Sequence, residues 1–384
     1  MAEIRLEQLA HSYQANPHGP EDYALRRMEH VWEQGGAYAL LGPSGCGKST
    51  LLNIISGLLE PSEGKVLYDG QSVNGLTPQQ RNIAQVFQFP VIYDTMTVYD
   101  NLAFPLRNQR QPSGKIKERV REVAESLEIE DLLHRKARNL TADEKQKVSM
   151  GRGLVRDDVA AILFDEPLTV IDPQLKWRLR RKLKQIHERF NITMVYVTHD
   201  QLEASTFADK IAVMYDGQIV QFGTPRELFE NPAHTFVGYF IGSPGMNLLE
   251  ATSSETGVRV AGVDLPLAPA VRDALAGHSS RSLRLGIRPE FVQLVAPEQA
   301  HLRARIDLVQ DLGTYKILDL RLVGGDKPLF IKARIEEDRA VPSGEVGLLF
   351  PESWTRFYAD DILVEVETAG VDDASGDGLV GEPQ

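Results

Sequence analysis

The stretch Ala37-Tyr38-Ala39-Leu40-Leu41-Gly42-Pro43-Ser44-Gly45-Cys46-Gly47-Lys48-Ser49-Thr50-Leu51-Leu52 decides the fold. Its apolar opening, Ala37 to Leu41, reads as a buried strand. Glycine and proline then dominate. Beyond them Leu51, Leu52, Ile54, Ile55 and Leu58 recur at helical spacing, until Gly57 and Pro61 stop the pattern. The order is strand, tight loop, helix. In that context Gly42-x-x-x-x-Gly47-Lys48-Ser49 matches a phosphate-binding loop. Glycines let backbone N–H groups turn inward around an anion, and the following helix points its positive end at it. Gly42, Pro43, Ser44, Gly45, Cys46, Gly47, Lys48, Ser49 and Thr50 are therefore the expected nucleotide-binding residues. Lys48 reaches the outer phosphates, and Ser49 offers a hydroxyl to Mg²⁺.

Further along, residues 159–164 are apolar throughout, which predicts a strand buried on both faces. Asp165-Glu166 closes it. Carboxylates at a strand's C-terminal end face the ligand crevice of a parallel sheet. Asp165 is expected to hold Mg²⁺ through water, and Glu166 to polarise an attacking water as general base. Residues 192–198 form another apolar run, and His199 follows it, placed to donate to the γ-phosphate or hold the water. Gln88, after Ala84-Gln85-Val86-Phe87, is a further crevice residue. Residues 115–136 and 174–189 are charged, with helical spacing of their apolar positions. Strands alternating with helices predict an α/β P-loop fold with a mostly parallel sheet covered by helices.

The character changes near 235–250. Beyond Ser243-Pro244-Gly245 the segments are short, β-branched and separated by Gly/Pro turns, as in 257–260, 283–287, 303–309, 317–322, 329–331 and 362–366. This predicts a small all-β domain. The expected divisions are an ATPase domain over 1–235 with a helical part at about 89–155, a β-domain over 236–368, and a disordered tail over 369–384.

Composition narrows the function. The chain has 384 residues and a net charge of −12, from 42 Lys+Arg against 54 Asp+Glu. That balance argues against nucleic acid as a partner. No uncharged apolar run approaches the roughly 18 residues of a membrane span. The single cysteine, Cys46, can form no internal disulfide, which fits a reducing compartment.

These motifs, in this order, resemble the ATP-binding subunit of an ATP-binding-cassette (ABC) transporter. Residues 42–49 resemble Walker A, Asp165-Glu166-Pro167 resembles Walker B with its catalytic glutamate, and residues 168–172 resemble the D-loop. His199 resembles the switch histidine and Gln88 the Q-loop glutamine, which the resemblance adds to Ser49 and Asp165 as a metal contact. Tyr13 occupies the position of the aromatic that stacks on adenine. Phe240-Ile241-Gly242-Ser243-Pro244 and Gly286-Ile287-Arg288-Pro289-Glu290 resemble the linker and β-domain of the maltose-type sugar importers, so the likeness covers about residues 1–367. It implies an oligonucleotide-binding-like C-terminal domain that mediates subunit contacts and takes regulatory inputs.

One motif departs. The family's Leu-Ser-Gly-Gly-Gln signature is here Leu140-Thr141-Ala142-Asp143-Glu144. Thr141-x-x-Glu144 reads as a capping box, and Asp143 and Glu144 fall in the first turn of a helix. In the family this helix start donates N–H groups to the γ-phosphate held by the other subunit. A carboxylate ~5 Å from a phosphate charge repels it by about 3 kcal/mol at an effective dielectric near 20.

The resemblance implies ATP-driven solute import through membrane permease subunits at the cytoplasmic face of the inner membrane. The solute is a sugar or a polyol such as glycerol, delivered by a solute-binding protein. The degenerate signature predicts a heterodimer with a second, related ATPase, with pairing to a second copy of this chain as the alternative. Two alternatives stand beside this: a nucleotide-binding regulator with little hydrolysis, and a soluble ABC ATPase unconnected with transport. Residues 89–104 carry aromatics just after Gln88, where the family receives the permease.

Overall fold

The computed structural model describes residues 2–366, except 157, 170, 279–281 and 325–327. The tail expected over 369–384 lies outside the described residues. Between Asn231 and Pro232 the chain divides into two compact units.

In the first unit, β1 (Ile4–His11), β2 (Leu25–Trp32), β4 (Glu63–Tyr68) and β5 (Gln71–Ser72) form an antiparallel sheet in the order β2-β1-β4-β5. The sequence reading did not foresee this sheet, because its strands mix buried and exposed positions without strict alternation. The second sheet contains β3 (Ala37–Leu41), β6 (Ala84–Val86), β7 (Ile162–Asp165), β8 (Met194–Thr198), β9 (Lys210–Tyr215) and β10 (Gln218–Gly223), in the order β10-β9-β3-β8-β7-β6. Every residue of β3 and β8 is buried, as continuous apolar runs require. Only the β9–β10 pair is antiparallel. It turns through Asp216 (φ 49°) and Gly217 (φ 77°), a two-residue turn whose positive φ values match the strand twist. The strand expected over 159–164 starts later, at Ile162. Val159 and Ala161 are buried ahead of the ladder.

The parallel register fixes the site. Leu41 lies opposite Thr198, Asp165 opposite Val197, and Val86 opposite Phe164. Four strands therefore end on one edge of the sheet. Helix α1 (Lys48–Ser56) covers the sheet, burying Leu51, Leu52, Ile54 and Ile55 in one cluster with Leu40, Leu163, Val195 and Val197. Each such side chain contributes about 1.5–3 kcal/mol of burial. The helix ends on Gly57 at φ 82°, a left-handed cap.

Between β6 and β7 lie α2 (Val98–Asn108), α3 (Ser113–Ser126) and α4 (Ala142–Leu154), with α2 packed on α3 and α4. The unit is completed by α5 (Pro173–Phe190), α6 (Gln201–Phe207) and α7 (Pro225–Glu230). His30 of β2 is wedged edge-on between Trp32 and Phe222, at ring distances of 4.6 and 4.4 Å.

The second unit holds two antiparallel sheets. One comprises β11 (Asn247–Ser253), β12 (Gly257–Val260), β13 (Val263–Pro266), β14 (Leu283–Ile287), β20 (Arg356–Ala359) and β21 (Ile362–Leu363). The other comprises β15 (Gln293–Val295), β16 (Leu302–Asp311), β17 (Tyr315–Leu322), β18 (Phe330–Glu336) and β19 (Glu345–Leu349). The expected β-domain is present, and α8 (Thr235–Phe240) and α9 (Pro269–Ala276) accompany its sheets. Pro269 opens α9 at a position where a helix needs no N–H donor. Arg288 is fully buried and donates to the carbonyl of Ile241, so the two stretches that resembled the importers' β-domain are bonded to each other.

Candidate nucleotide site

The loop after β3 is built for close approach. Gly47 takes φ 99°, and a Cβ there would lie 2.6 Å from the carbonyl of Ala24. At Gly42 a Cβ would lie 2.4 Å from the carbonyl of Met214. Neither position admits another residue without backbone movement. Lys48 is 6% exposed, and its Nζ donates to the carbonyls of Gly42 and Pro43, both at 2.8 Å. Its ammonium is thus held across the loop mouth. Cys46 Sγ lies 3.9 Å from Nζ, and burial raises the thiol's pKa.

Two contacts join the remaining candidates to this loop and the helix it opens, and a third joins two of them to each other. The hydroxyl of Tyr13, a largely exposed side chain, lies 3.1 Å from Thr50 Oγ1 in the first turn of α1. The Ser49 side chain lies beside the Asp165 carboxylate and favours its charged form. Burial, and then the neighbouring Glu166, raise the pKa of Asp165 against the opposing pull of Ser49 and Lys48. His199 Nδ1 lies 3.1 Å from Glu166 Oε1. Glu166 leaves β7 at φ 45°, with its N–H on the Val197 carbonyl at 3.0 Å, which ties the two strand ends together. Gln88 is half-buried just beyond β6, on the same edge of the sheet.

Residues 141–144 have a different arrangement. Thr141 caps α4, and the capping box is complete: Thr141 N–H donates to Glu144 Oε2 at 2.8 Å, and Glu144 N–H to Thr141 Oγ1 at 3.4 Å. The Thr141 hydroxyl donates to Asp143 Oδ1 at 2.5 Å. Glu144 Oε1 also lies 3.5 Å from Arg135. The N–H groups of Thr141 and Glu144 are therefore taken by the helix start's own side chains, and Ala142 and Asp143 hold positions that resemble the signature glycines.

Of the aromatic-bearing residues 89–104, only the first part is exposed. Phe89, Val91 and Tyr93 are 69%, 54% and 41% exposed, whereas Val98 and Leu102 are buried in α2. A groove of about 660 Å³ adjoins it, lined by Phe87, Val91, Phe104, Ser149, Arg152 and Arg156. Sequence reasoning missed Thr169, whose hydroxyl donates to the Glu166 carbonyl at 3.1 Å and faces Oε2 at 3.4 Å. It also missed Glu203. Neither type carries a signal by itself in sequence.

A phosphate loop and a carboxylate pair on one edge of a parallel sheet define an ATPase of the P-loop class. A sequence profile of ABC transporters matches residues 25–169, and one of the MalK OB-fold domain matches residues 242–292. The trehalose/maltose import ATP-binding protein MalK of Thermococcus litoralis is 42% identical over 85% of this chain and 91% of its own length. The sn-glycerol-3-phosphate import ATP-binding protein UgpC of Psychromonas ingrahamii is 40% identical over 83% of this chain and 82% of its own. Among solved structures, CbiO1 of Clostridium perfringens, part of an ABC transporter complex, aligns with a TM-score of 0.54 at 26% identity, over 59% of this chain and 90% of that one. A dimeric cassette, MJ0796, bound to ADP and phosphate, aligns at 0.51 and 28%, over 58% and 98%. The chain belongs to the ABC transporter ATP-binding subunits, in the group that carries a MalK-type OB-fold domain, and is an ATPase coupled to transport.

Proposed function

We propose that this subunit hydrolyses ATP with Glu166 as general base, and that the hydrolysis energises import of a sugar or a glycerol derivative through permease subunits. The observation that carries the reading is the contact between Glu166 and His199 beside a loop that holds Lys48 and Ser49. Lys48 meets the outer phosphates as a point charge. Tyr13, beside Thr50, offers its ring to the adenine. A water between Glu166 and the terminal phosphate loses its proton to the carboxylate, and His199 orients that carboxylate.

Mg²⁺ fits the donors at hand. Ser49, Asp165 and Gln88 present only oxygen ligands that suit a hard cation, and Asp165 is a half-buried carboxylate beside a second one. When bound, the ion neutralises charge on the phosphates.

The names of the relatives support a carbohydrate or glycerol-phosphate solute. The apolar surface at Phe89, Val91 and Tyr93, with its adjoining groove, supports permease docking there. Among the described residues no helix is long and apolar enough to cross a membrane, and the reading places the subunit peripherally on the cytoplasmic face. The two carboxylates in the first turn of α4 support pairing with a second, related ATPase, whose nucleotide would face Asp143 and turn over slowly. In the same complex a solute-binding protein delivers the substrate.

The test is capture of this chain by an affinity tag from membranes of its own cells, followed by reconstitution of what co-purifies. The reading expects permease subunits, a second ATPase and solute-stimulated hydrolysis. Hydrolysis absent from the assembled complex would remove the catalytic reading. A complex with two copies of this chain and full activity at both sites would remove the heterodimer.

A further inference from the structure

Glu203, in the first turn of α6, is a buried charge that the hydrolytic arrangement does not use. It is 4% exposed. A carboxylate so placed is retained only when its oxygens are fully partnered. Its partners come from two other elements. The hydroxyls of Tyr196 and Thr198, both on β8, donate to Oε2 at 3.1 and 3.0 Å. Lys176 Nζ and Arg180 Nη1, one turn apart on α5, lie 3.4 and 3.8 Å from Oε1.

The placement of these partners gives the carboxylate a purpose. Thr198 directly precedes His199. Its hydroxyl donates to Glu203 and also accepts the N–H of Asp200 at 3.0 Å. Asp200 in turn caps α6, accepting the N–H groups of Leu202 and Glu203 at 2.8 and 3.0 Å. Both neighbours of His199 are therefore fixed through Glu203 and the helix that carries it. On the other side, α5 begins immediately after residues 168–172. Asp172 is its cap, and the Asp172 carbonyl accepts the N–H of Lys176 at 3.0 Å. The same carboxylate thus grips the backbone bearing His199 and the opening turns of the helix that follows Glu166.

We infer that Glu203 is a positioning residue for hydrolysis: it holds His199 at hydrogen-bonding distance from Glu166 and locks that strand end to the start of α5. It touches no reacting atom. The inference rests on the roles given above to Glu166 and His199.

The test uses the captured transport complex and compares Glu203→Gln, His199→Ala and the double variant. Glu203→Gln keeps the volume and an acceptor for the hydroxyls but loses the ionic grip on α5. Its kcat is expected to fall about tenfold, as loss of a charge-assisted contact implies, with KM for ATP unchanged. In the double variant the two effects should not multiply, because Glu203 acts through His199. Thr198→Val removes the hydroxyl that donates to Glu203 and accepts the Asp200 N–H, leaves the ionic grip on α5 in place, and should reproduce the loss of kcat. It serves if Glu203→Gln does not fold. Wild-type kcat in both Glu203→Gln and Thr198→Val, or effects that multiply with His199→Ala, would overturn the proposal. Wild-type kcat in His199→Ala would instead overturn the role assigned to the histidine, and this proposal with it.

Discussion

His199 Nδ1 lies 3.1 Å from Glu166 Oε1, while Thr169 Oγ1 faces the other carboxylate oxygen at 3.4 Å. The carboxylate is therefore approached from β8 on one side and from its own following turn on the other. A carboxylate held this way has few orientations available, which suits the role of general base proposed for it.

Glu166→Gln should bind ATP as the wild type does and lose turnover by about 10²–10⁴-fold, since a carboxamide cannot take the proton. Equilibrium nucleotide binding and multiple-turnover phosphate release, measured on the same preparation, check it. Phosphate release near the wild-type rate would take Glu166 out of the reaction.

Lys48→Ala removes the cation that spans the Gly42 and Pro43 carbonyls. Loss of a hydrogen bond from a charged group costs about 1.5–3 kcal/mol, so nucleotide affinity should fall roughly ten- to a hundredfold and hydrolysis should stop. Titration with a fluorescent ATP analogue reads the affinity. An unchanged dissociation constant would show that the lysine does not meet the phosphates.

Replacing Thr141→Ser, Ala142→Gly, Asp143→Gly and Glu144→Gln together removes both acidic groups from the start of α4 while leaving a capping box possible. Turnover of the assembled complex should rise, and the melting temperature should drop slightly because two glycines enter the first turn. Turnover that stays level would show that Asp143 does not face a nucleotide.

Burial holds the His30 pKa down at about 4, against 6.5 in a free side chain. Between those values the unfolded chain carries the proton and the folded chain does not, so stability is present above pH 6.5 and is lost as pH falls toward 4. The loss attributable to this residue is about 1–2 kcal/mol from pH 8 to pH 5. Urea unfolding of the wild type and of His30→Phe across that range should show a shallower acid slope in the variant. Identical slopes would assign the acid sensitivity to other groups.

The sequence made the parallel sheet and its loop legible because β3 and β8 are continuous apolar runs and the loop's glycines are spaced for an anion. The first antiparallel sheet was not legible. β2 reads Leu25-Arg26-Arg27-Met28-Glu29-His30-Val31-Trp32, where charged and apolar residues are interleaved without a clean period. The capping box at Thr141 and Glu144 could be read because both halves lie within one turn. The bonds of Glu203 could not, since they depend on α5 and β8 packing against α6, which is set by tertiary folding rather than by any local pattern. The helices of the second unit escaped notice for the opposite reason: α8 and α9 are short, and turn residues around them look like those between strands.

Glu166 sits at φ 45°, a left-handed backbone that only glycine, and to a lesser degree asparagine, adopts with ease. A glutamate there is disfavoured by about 1 kcal/mol or more relative to a relaxed residue. The residue that suits the backbone best is thus one that cannot take a proton, and Glu166→Gly should make a cassette that withstands heat better while doing no work. Stability and turnover are set against each other at a single peptide unit. On the role proposed for Glu166, selection for thermal robustness alone would favour an inert subunit at this position.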